Sequence, residues 1–343
     1  MSSARQKGKL HILEPRVYQY TYGPNQPVLR VGSGDSVTAS TIDAHGFDRY
    51  GNPLTKSQKQ TSETTTFQES NPLVGPIWIE EAQPGDLLQI VIKKILLDRE
   101  YAFSSLSPHF GALTGESRGR DLLFNESLPE AKYHWELDLA AQTGTLTLPK
   151  SKLEKIQIPL HPFIGSIGVA PRFGRVETAL VPGEYGGNMD CVETKEGTIL
   201  YLPIWVRGAY LSFGDIHAAQ GDGEICGVAL ETTAQVTLKL EVIKNRTAEW
   251  PRIENQTHIM VAGSARPLMD AVRIAHVELT KWLVADYGFD KWEALQVLSQ
   301  VGTMRVGNVV DPNYTIVAKF PKKYLPYYLK TVQELLGHKS GAQ

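Results

Sequence analysis

Over the first three quarters of the chain, apolar positions fall in short runs separated by turn residues, a pattern that predicts strands. After a Pro84-Gly85-Asp86 turn, the residues from Leu87 to Ile95 are rich in β-branched side chains and predict one strand. Ile199 to Leu211 reads as another. From Gln235 to Val242 the period is two: Thr237, Lys239 and Glu241 alternate with Val236, Leu238, Leu240 and Val242, giving one wet face and one dry. After about residue 256 the period lengthens. Leu268, Val272, Ala275, Leu279, Trp282 and Leu283 recur at three- and four-residue steps, which predicts a long amphipathic helix ending at Gly288. A second helix begins at Asp290, with Glu293 in the capping-box position, and stops near Gly302. Thr315 to Phe320 reads as a strand and Pro321 to Leu325 as the opening of a short final helix. The expected fold is therefore mainly β with C-terminal helices, an α+β chain. Residues 1–255 would form a β-rich region holding the polar clusters described below, and residues 256–343 an α+β region packed on it.

Two stretches lack any apolar period. Residues 52–71 and 104–132 read as long surface loops, and loops of that length in compact domains are often functional, the second as part of a lid.

The 343 residues, 42% hydrophobic and 21% charged, suit a globular enzyme with a sizeable core. A formal charge of -2 and the lack of any dense Lys/Arg stripe argue against a nucleic-acid partner. No run approaches the roughly 18 apolar residues of a membrane helix, and the N-terminus has no apolar core of a signal peptide. Two cysteines, Cys191 and Cys226, make no disulfide framework, so the cytoplasm is the expected location. Cys226, in an apolar run, reads as core.

Three Gly-rich clusters carry ionisable side chains. The richest runs from Gly214 to Glu224; if it is extended, Asp215 and His217 share one face, as do Asp222 and Glu224. In the second, Asp43 and His45 stand two apart. The third, Gly183 to Cys191, places Asp190 beside Asn188 and the paired glycines Gly186 and Gly187. Carboxylate with imidazole suits a divalent cation, zinc first, and a catalytic site needs about three protein ligands. Asp43, Asp190, Asp215 and His217 are the candidate ligands, with Glu224 as the proton carrier. For any one cluster alone, the simpler alternative is a solvated turn; His45, near Asp48 and Arg49, fits that description best. Cys191 offers a second chemistry as a thiolate nucleophile, against the usual fate of a lone cysteine as a small core residue. A third reading is a non-catalytic β-module that binds a small ligand or metal. Phosphate-loop, dinucleotide and H-E-x-x-H motifs are absent.

Several stretches together resemble the acetamidase/formamidase family: Asn71-Pro72-Leu73-Val74-Gly75-Pro76, Pro84-Gly85-Asp86-Leu87 and the run from Ile164 to Pro171. They continue through Gly186-Gly187-Asn188-Met189-Asp190-Cys191, the block from Gly214 to Gly227, and Val309-Val310-Asp311-Pro312. The resemblance implies a β-rich, homo-oligomeric cytoplasmic enzyme that hydrolyses a short amide to a carboxylate and ammonia. It agrees with a site built on Asp190, Asp215, His217 and Glu224. Asn188 and the backbone amides of Gly186 and Gly187 are candidates to stabilise the oxyanion, Asp190 and Asn188 thereby serving the chemistry directly. At Asp43-Ala44-His45-Gly46 the chain departs from the family turn, so the resemblance does not extend to His45. The aromatic stretch from Tyr324 to Leu329 is a candidate subunit contact.

Overall fold

In a computed structural model, which describes residues 8–62, 69–108, 110–113 and 128–325, the Pro84-Gly85-Asp86 turn feeds a strand over Leu87–Leu97. Leu88, Ile90 and Ile92 on it are fully buried, because Ala234–Ile243 and Ile199–Pro203 pair along its two sides. Ala234–Ile243 alternates as the pattern predicts, with Val236, Leu238 and Leu240 buried.

The expected single run from Ile199 to Leu211 is instead two strands in different sheets, Ile199–Pro203 and Leu211–His217. The break has a steric cause. Gly208 (φ 83°) lies against the Trp78 ring, where a Cβ would come within 2.2 Å of it, and Ala209 and Tyr210 are also left-handed.

Among the described residues, the strands form a nine-stranded and a ten-stranded sheet beside a small two-stranded one. Both large sheets contribute to one core, in which Ile90 and Leu238 from the first join Leu73, Ile164 and Phe213 from the second. The first sheet runs across residue 255 without a break, since Arg252–Glu254 pairs with His258–Ala265, which pairs with Tyr314–Pro321.

Two helices follow, α1 (Leu268–Tyr287) and α2 (Lys291–Val301). Ala271, Ala275, Leu279 and Leu283 of α1 pack on Val261, Ala318 and Phe320 of the first sheet. Gly288 caps α1 in the left-handed region, and the Asp290 carboxylate accepts the N–H groups of Trp292 (2.8 Å) and Glu293 (3.2 Å). Lys322–Tyr324 forms one 3-10 turn; the remainder of the expected final helix, and most of the aromatic C-terminal stretch, lies outside the described residues.

The stretch 52–71 holds a 3-10 turn at Lys56–Gln58, with residues 63–68 outside the described set. Of 104–132, the ends belong to strands Tyr101–Leu106 and Ala131–Asp138, and residues 109 and 114–127 are likewise outside it. No helix among the described residues is long and apolar enough to cross a membrane.

A carboxylate-lined cavity as the candidate active site

The strand Phe163–Gly168 lies between Leu211–His217 and Gly186–Asn188, with Ser166 opposite both Gly214 and Asn188. That register brings side chains from distant stretches over one point. His217 Nε2 lies 3.3 Å from Asp215 Oδ1 and 3.4 Å from Glu231 Oε1. Ligand atoms of three overlapping groups, Asp190/Asp215/His217, His217/Glu224/Glu231 and Asp190/Glu224/Asp311, lie within 4.8 Å of one another inside each group. Five carboxylates and one imidazole are thus gathered, and all six side chains are buried.

The backbone is bent to achieve this. Asp190 (φ 45°), Asp215 (φ 57°) and Glu224 (φ 49°) occupy the left-handed region, which costs about 1–3 kcal/mol each for non-glycine residues and collects at functional sites. At Asp215 the ladder skips a pair, running from Ile164↔Ile216 to Ser166↔Gly214. Asp215 and His217 do meet, but through this turn rather than through the two-residue period of a regular strand. The skipped partner is Gly165, and its lack of a side chain makes room. A Cβ there would come within 2.8 Å of Asp215 Oδ2, 2.9 Å of Asp190 Oδ1 and 2.9 Å of His217 Cε1.

Amides and a hydroxyl brace the acids. Asn188 Nδ2 donates to Asp190 Oδ2 (3.2 Å) and Asp311 Oδ2 (2.8 Å), while its Oδ1 accepts from Asn71 Nδ2 (3.1 Å) and from the Ser166 hydroxyl. Asn71 Nδ2 also donates to Asp215 Oδ2 (3.0 Å).

Removal from water dominates the electrostatics. Burial pushes the carboxyls of Asp190 and Glu231 well above their ordinary values, that of Glu224 up to about 8 and that of Asp311 up to about 7. Mutual repulsion adds to this at Asp190. Burial opposes an imidazolium at His217, yet the charges of Glu231, Asp215 and Glu224 together outweigh it and hold its pKa well above the usual value. Asp190 Oδ1, Asp215 Oδ1 and Glu231 Oε2 have no hydrogen-bond partner. Unpartnered buried carboxylate oxygens are costly, and a hard or borderline cation with mixed O/N ligands is what such a donor set fits. The groups present could hold a metal.

The cluster forms one wall of a cavity of about 620 Å³, also lined by Ala44, His45, Asn71, Leu180, Val228 and Arg266. His45 is exposed at this cavity, its ring against Phe103 with centroids 4.4 Å apart. Packing around the ring and the Lys132 charge lower its pKa, so it is neutral at pH 7.

Other candidates lie elsewhere. Asp43 is outside the cluster, with Oδ2 taking a 2.7 Å bond from Arg99 Nη1 and Oδ1 accepting the N–H groups of His45 and Phe47 at 3.0 Å. That carboxylate is fully used in holding a turn. Asp222 does not share a face with Glu224, because the left-handed Glu224 turns inward and Asp222 pairs with Arg305 at the surface. Cys191 is buried and does not line the cavity, and burial pushes its thiol up to about 12, the reverse of an activated nucleophile. Cys226, expected in the core, is exposed beside the Gly227 turn. Gly186 and Gly187 do not line the cavity, and the Gly186 N–H is spent on the Gly183 carbonyl (3.0 Å). Both N–H groups of Asn188 are likewise committed to carboxylates, so its place is that of a brace.

The model of the acetamidase/formamidase family matches residues 22–178 and 172–325, nearly the whole described chain. The chain belongs to that family. It is similar to the crystal structure of an acetamidase from Yersinia enterocolitica, at 38% identity over 95% of this chain and 96% of that one, with a TM-score of 0.82. An acetamidase from Bacillus halodurans matches at 30% identity over 91% and 98%, with a TM-score of 0.75. The formamidase of Methylophilus methylotrophus is 25% identical over 273 residues, 65% of this chain and 63% of that protein. Curated relatives are matched over 63% of their length or less.

Within this acetamidase/formamidase chain, Asp311 and Glu231 join the cluster without having been assigned a role from sequence. Asp311 lies in a stretch that carried the family resemblance. Glu231 offered one signal only, an acid in the apolar setting Ala229-Leu230-Glu231-Thr232.

Proposed function

We propose that this chain hydrolyses a short amide, of the formamide or acetamide kind, to a carboxylate and ammonia with the help of a divalent cation, zinc favoured. Asp190, Asp215 and His217 are the ligands, with Glu231 and Asp311 completing the ring of donors. The chief support is the meeting, in a family member, of five buried carboxylates and an imidazole, with three of the carboxylate oxygens lacking a hydrogen-bond partner. What a bound cation would supply is Lewis acidity, toward the amide carbonyl and toward a water molecule.

Glu224 carries the proton. Its carboxylate, within reach of Asp190, His217 and Asp311, would take a proton from the attacking water and hand it to the departing nitrogen. Asn188 and Asn71 hold Asp190, Asp311 and Asp215 in place, and His45, neutral at the cavity, is placed to touch the substrate. The burial and raised pKa of Cys191 weigh against the nucleophile route.

We also read the protein as a cytoplasmic homo-oligomer. Its two free cysteines agree with a reducing compartment, and Val277, Val284, Trp292 and Leu295 line an apolar groove between α1 and α2 that a second subunit would cover.

The test is ammonia release from formamide and acetamide by purified protein, before and after chelation, beside metal analysis. Loss on chelation and recovery with zinc is expected. Full activity in metal-free protein removes the cation, and bound metal without hydrolysis of any short amide leaves a binding module.

A further inference from the structure

Gln220 lies three residues beyond His217, at the head of the segment that carries Glu224. Its side-chain amide is held at both ends. Nε2 donates to the backbone carbonyl oxygens of Asp190 (3.0 Å) and Gly307 (2.9 Å), and Oε1 lies 2.8 Å from His217 Nδ1. Carbonyl oxygens only accept, so the NH2 end must face them; turning the amide over would set its oxygen against both. The oxygen therefore faces the imidazole, and because an amide oxygen accepts as well, His217 Nδ1 must be the nitrogen that carries hydrogen. In the neutral ring, the form that binds a cation, the nitrogen left to offer a lone pair is Nε2, the one 3.3 Å from Asp215 Oδ1 and 3.4 Å from Glu231 Oε1.

We propose that Gln220 is a positioning residue that fixes His217 in its Nδ1–H form and so presents Nε2 to a cation in the carboxylate cluster. The same side chain ties the main chain at Asp190 to the His217 ring, coupling two ligands that come from separate stretches of the chain. Partners of this kind set ring orientation and basicity, and their loss typically weakens metal binding about 10- to 100-fold. The inference rests on the cation reading above only for its consequence, since the hydrogen on Nδ1 follows from the amide alone.

The experiment uses the full chain labelled with 15N-histidine, with His217 assigned by its absence from His217→Gln. Nδ1 of His217 is expected to carry hydrogen in both metal-free and zinc-loaded protein; a bare Nδ1 in either state overturns the proposal. If the protein takes up no zinc, the cation reading fails by itself and the metal-free spectrum still decides the role of Gln220, recorded at a pH high enough that the ring is neutral: hydrogen on Nδ1 alone supports it, and hydrogen on Nε2 with a bare Nδ1 overturns it. Where zinc binds, chelator competition should show Gln220→Leu binding it about 10- to 100-fold more weakly. Gln220→Glu, which keeps an oxygen for the Nδ1 hydrogen, should regain most of that loss. Both variants lose the two bonds to main-chain carbonyls, so a merely structural tie would lower both melting temperatures and leave both zinc affinities at the wild-type value; that result overturns the proposal.

Discussion

Gly165 lies under Asp215 so closely that a Cβ on it would stand 2.8 Å from Asp215 Oδ2. Two further cluster side chains, Asp190 and His217, are within 2.9 Å of the same point. Gly165→Ala should therefore fold, at a cost of about 1–3 kcal/mol for overpacking, yet displace three of the six clustered groups. A shift of about 1 Å at a reacting centre costs on the order of 100-fold, so amide turnover should fall by at least that much. Thermal melting and turnover with acetamide check this, and a fully active Gly165→Ala protein would contradict the cluster as reaction centre.

Glu224 and Asp43 should separate chemistry from scaffolding. Glu224→Gln keeps volume and removes the titrating proton, so turnover should drop by about 10²–10⁴ with little change in melting temperature. Asp43→Asn leaves Arg99 buried without its carboxylate, which costs about 3–5 kcal/mol for a broken buried pair. Its turnover per folded molecule and its metal content should stay near wild type. The reverse assignment of effects would restore Asp43 as a ligand.

Why Asp43 and Asp222 lie outside the cluster while Asp215 and His217 lie inside it is a matter of backbone. In all three clusters the acids and the glycines were legible, and so was the mainly β order with two terminal helices. Residue type does not say which member of an Asp-x-His or Asp-x-Glu pair turns inward. That depended on left-handed dihedrals at Asp190, Asp215 and Glu224, and on an Arg99 side chain 56 residues from Asp43. Glu231 was harder still, since it reaches the cluster only because its short strand pairs with Leu211–His217 across the second sheet. The split of Ile199 to Leu211 into two sheets had a visible clue in Gly208, but its cause, the Trp78 ring, is a tertiary contact.

Cys191→Ala should retain wild-type turnover per folded molecule. The thiol is buried, raised to about 12 and away from the cavity lining, so only packing is lost, on the order of 1 kcal/mol for a small core truncation. Turnover reduced by a hundredfold or more in folded protein would bring the thiolate mechanism back.

Metal-free protein should lose stability as pH rises, opposite to the acid lability of a carboxylate paired with cations. Asp190, Glu224, Glu231 and Asp311 all have pKa values raised by burial, so the folded state holds protons that the unfolded chain gives up. Their stabilising contribution is complete below the unfolded values and is lost as pH climbs, for Glu224 from 4.5 through about 8 and for Asp311 from 3.8 through about 7. His217, also raised, acts with the same sign, its contribution fading as pH passes its folded pKa. Carboxyls with depressed values, such as Asp86 beside Lys244, change only on the acid side of their ordinary pKa, and the lowered imidazoles of His45 and His258 oppose the trend only below pH 6.5, two groups against five. The chelated protein should thus melt at a lower temperature at pH 9 than at pH 5, and Glu224→Gln should flatten the slope. Zinc replaces the protons as counter-charge, so its addition should raise the melting temperature more at pH 9 than at pH 5. A metal-free melting temperature that rises steadily with pH would mean the carboxylates are not held together as neutral acids.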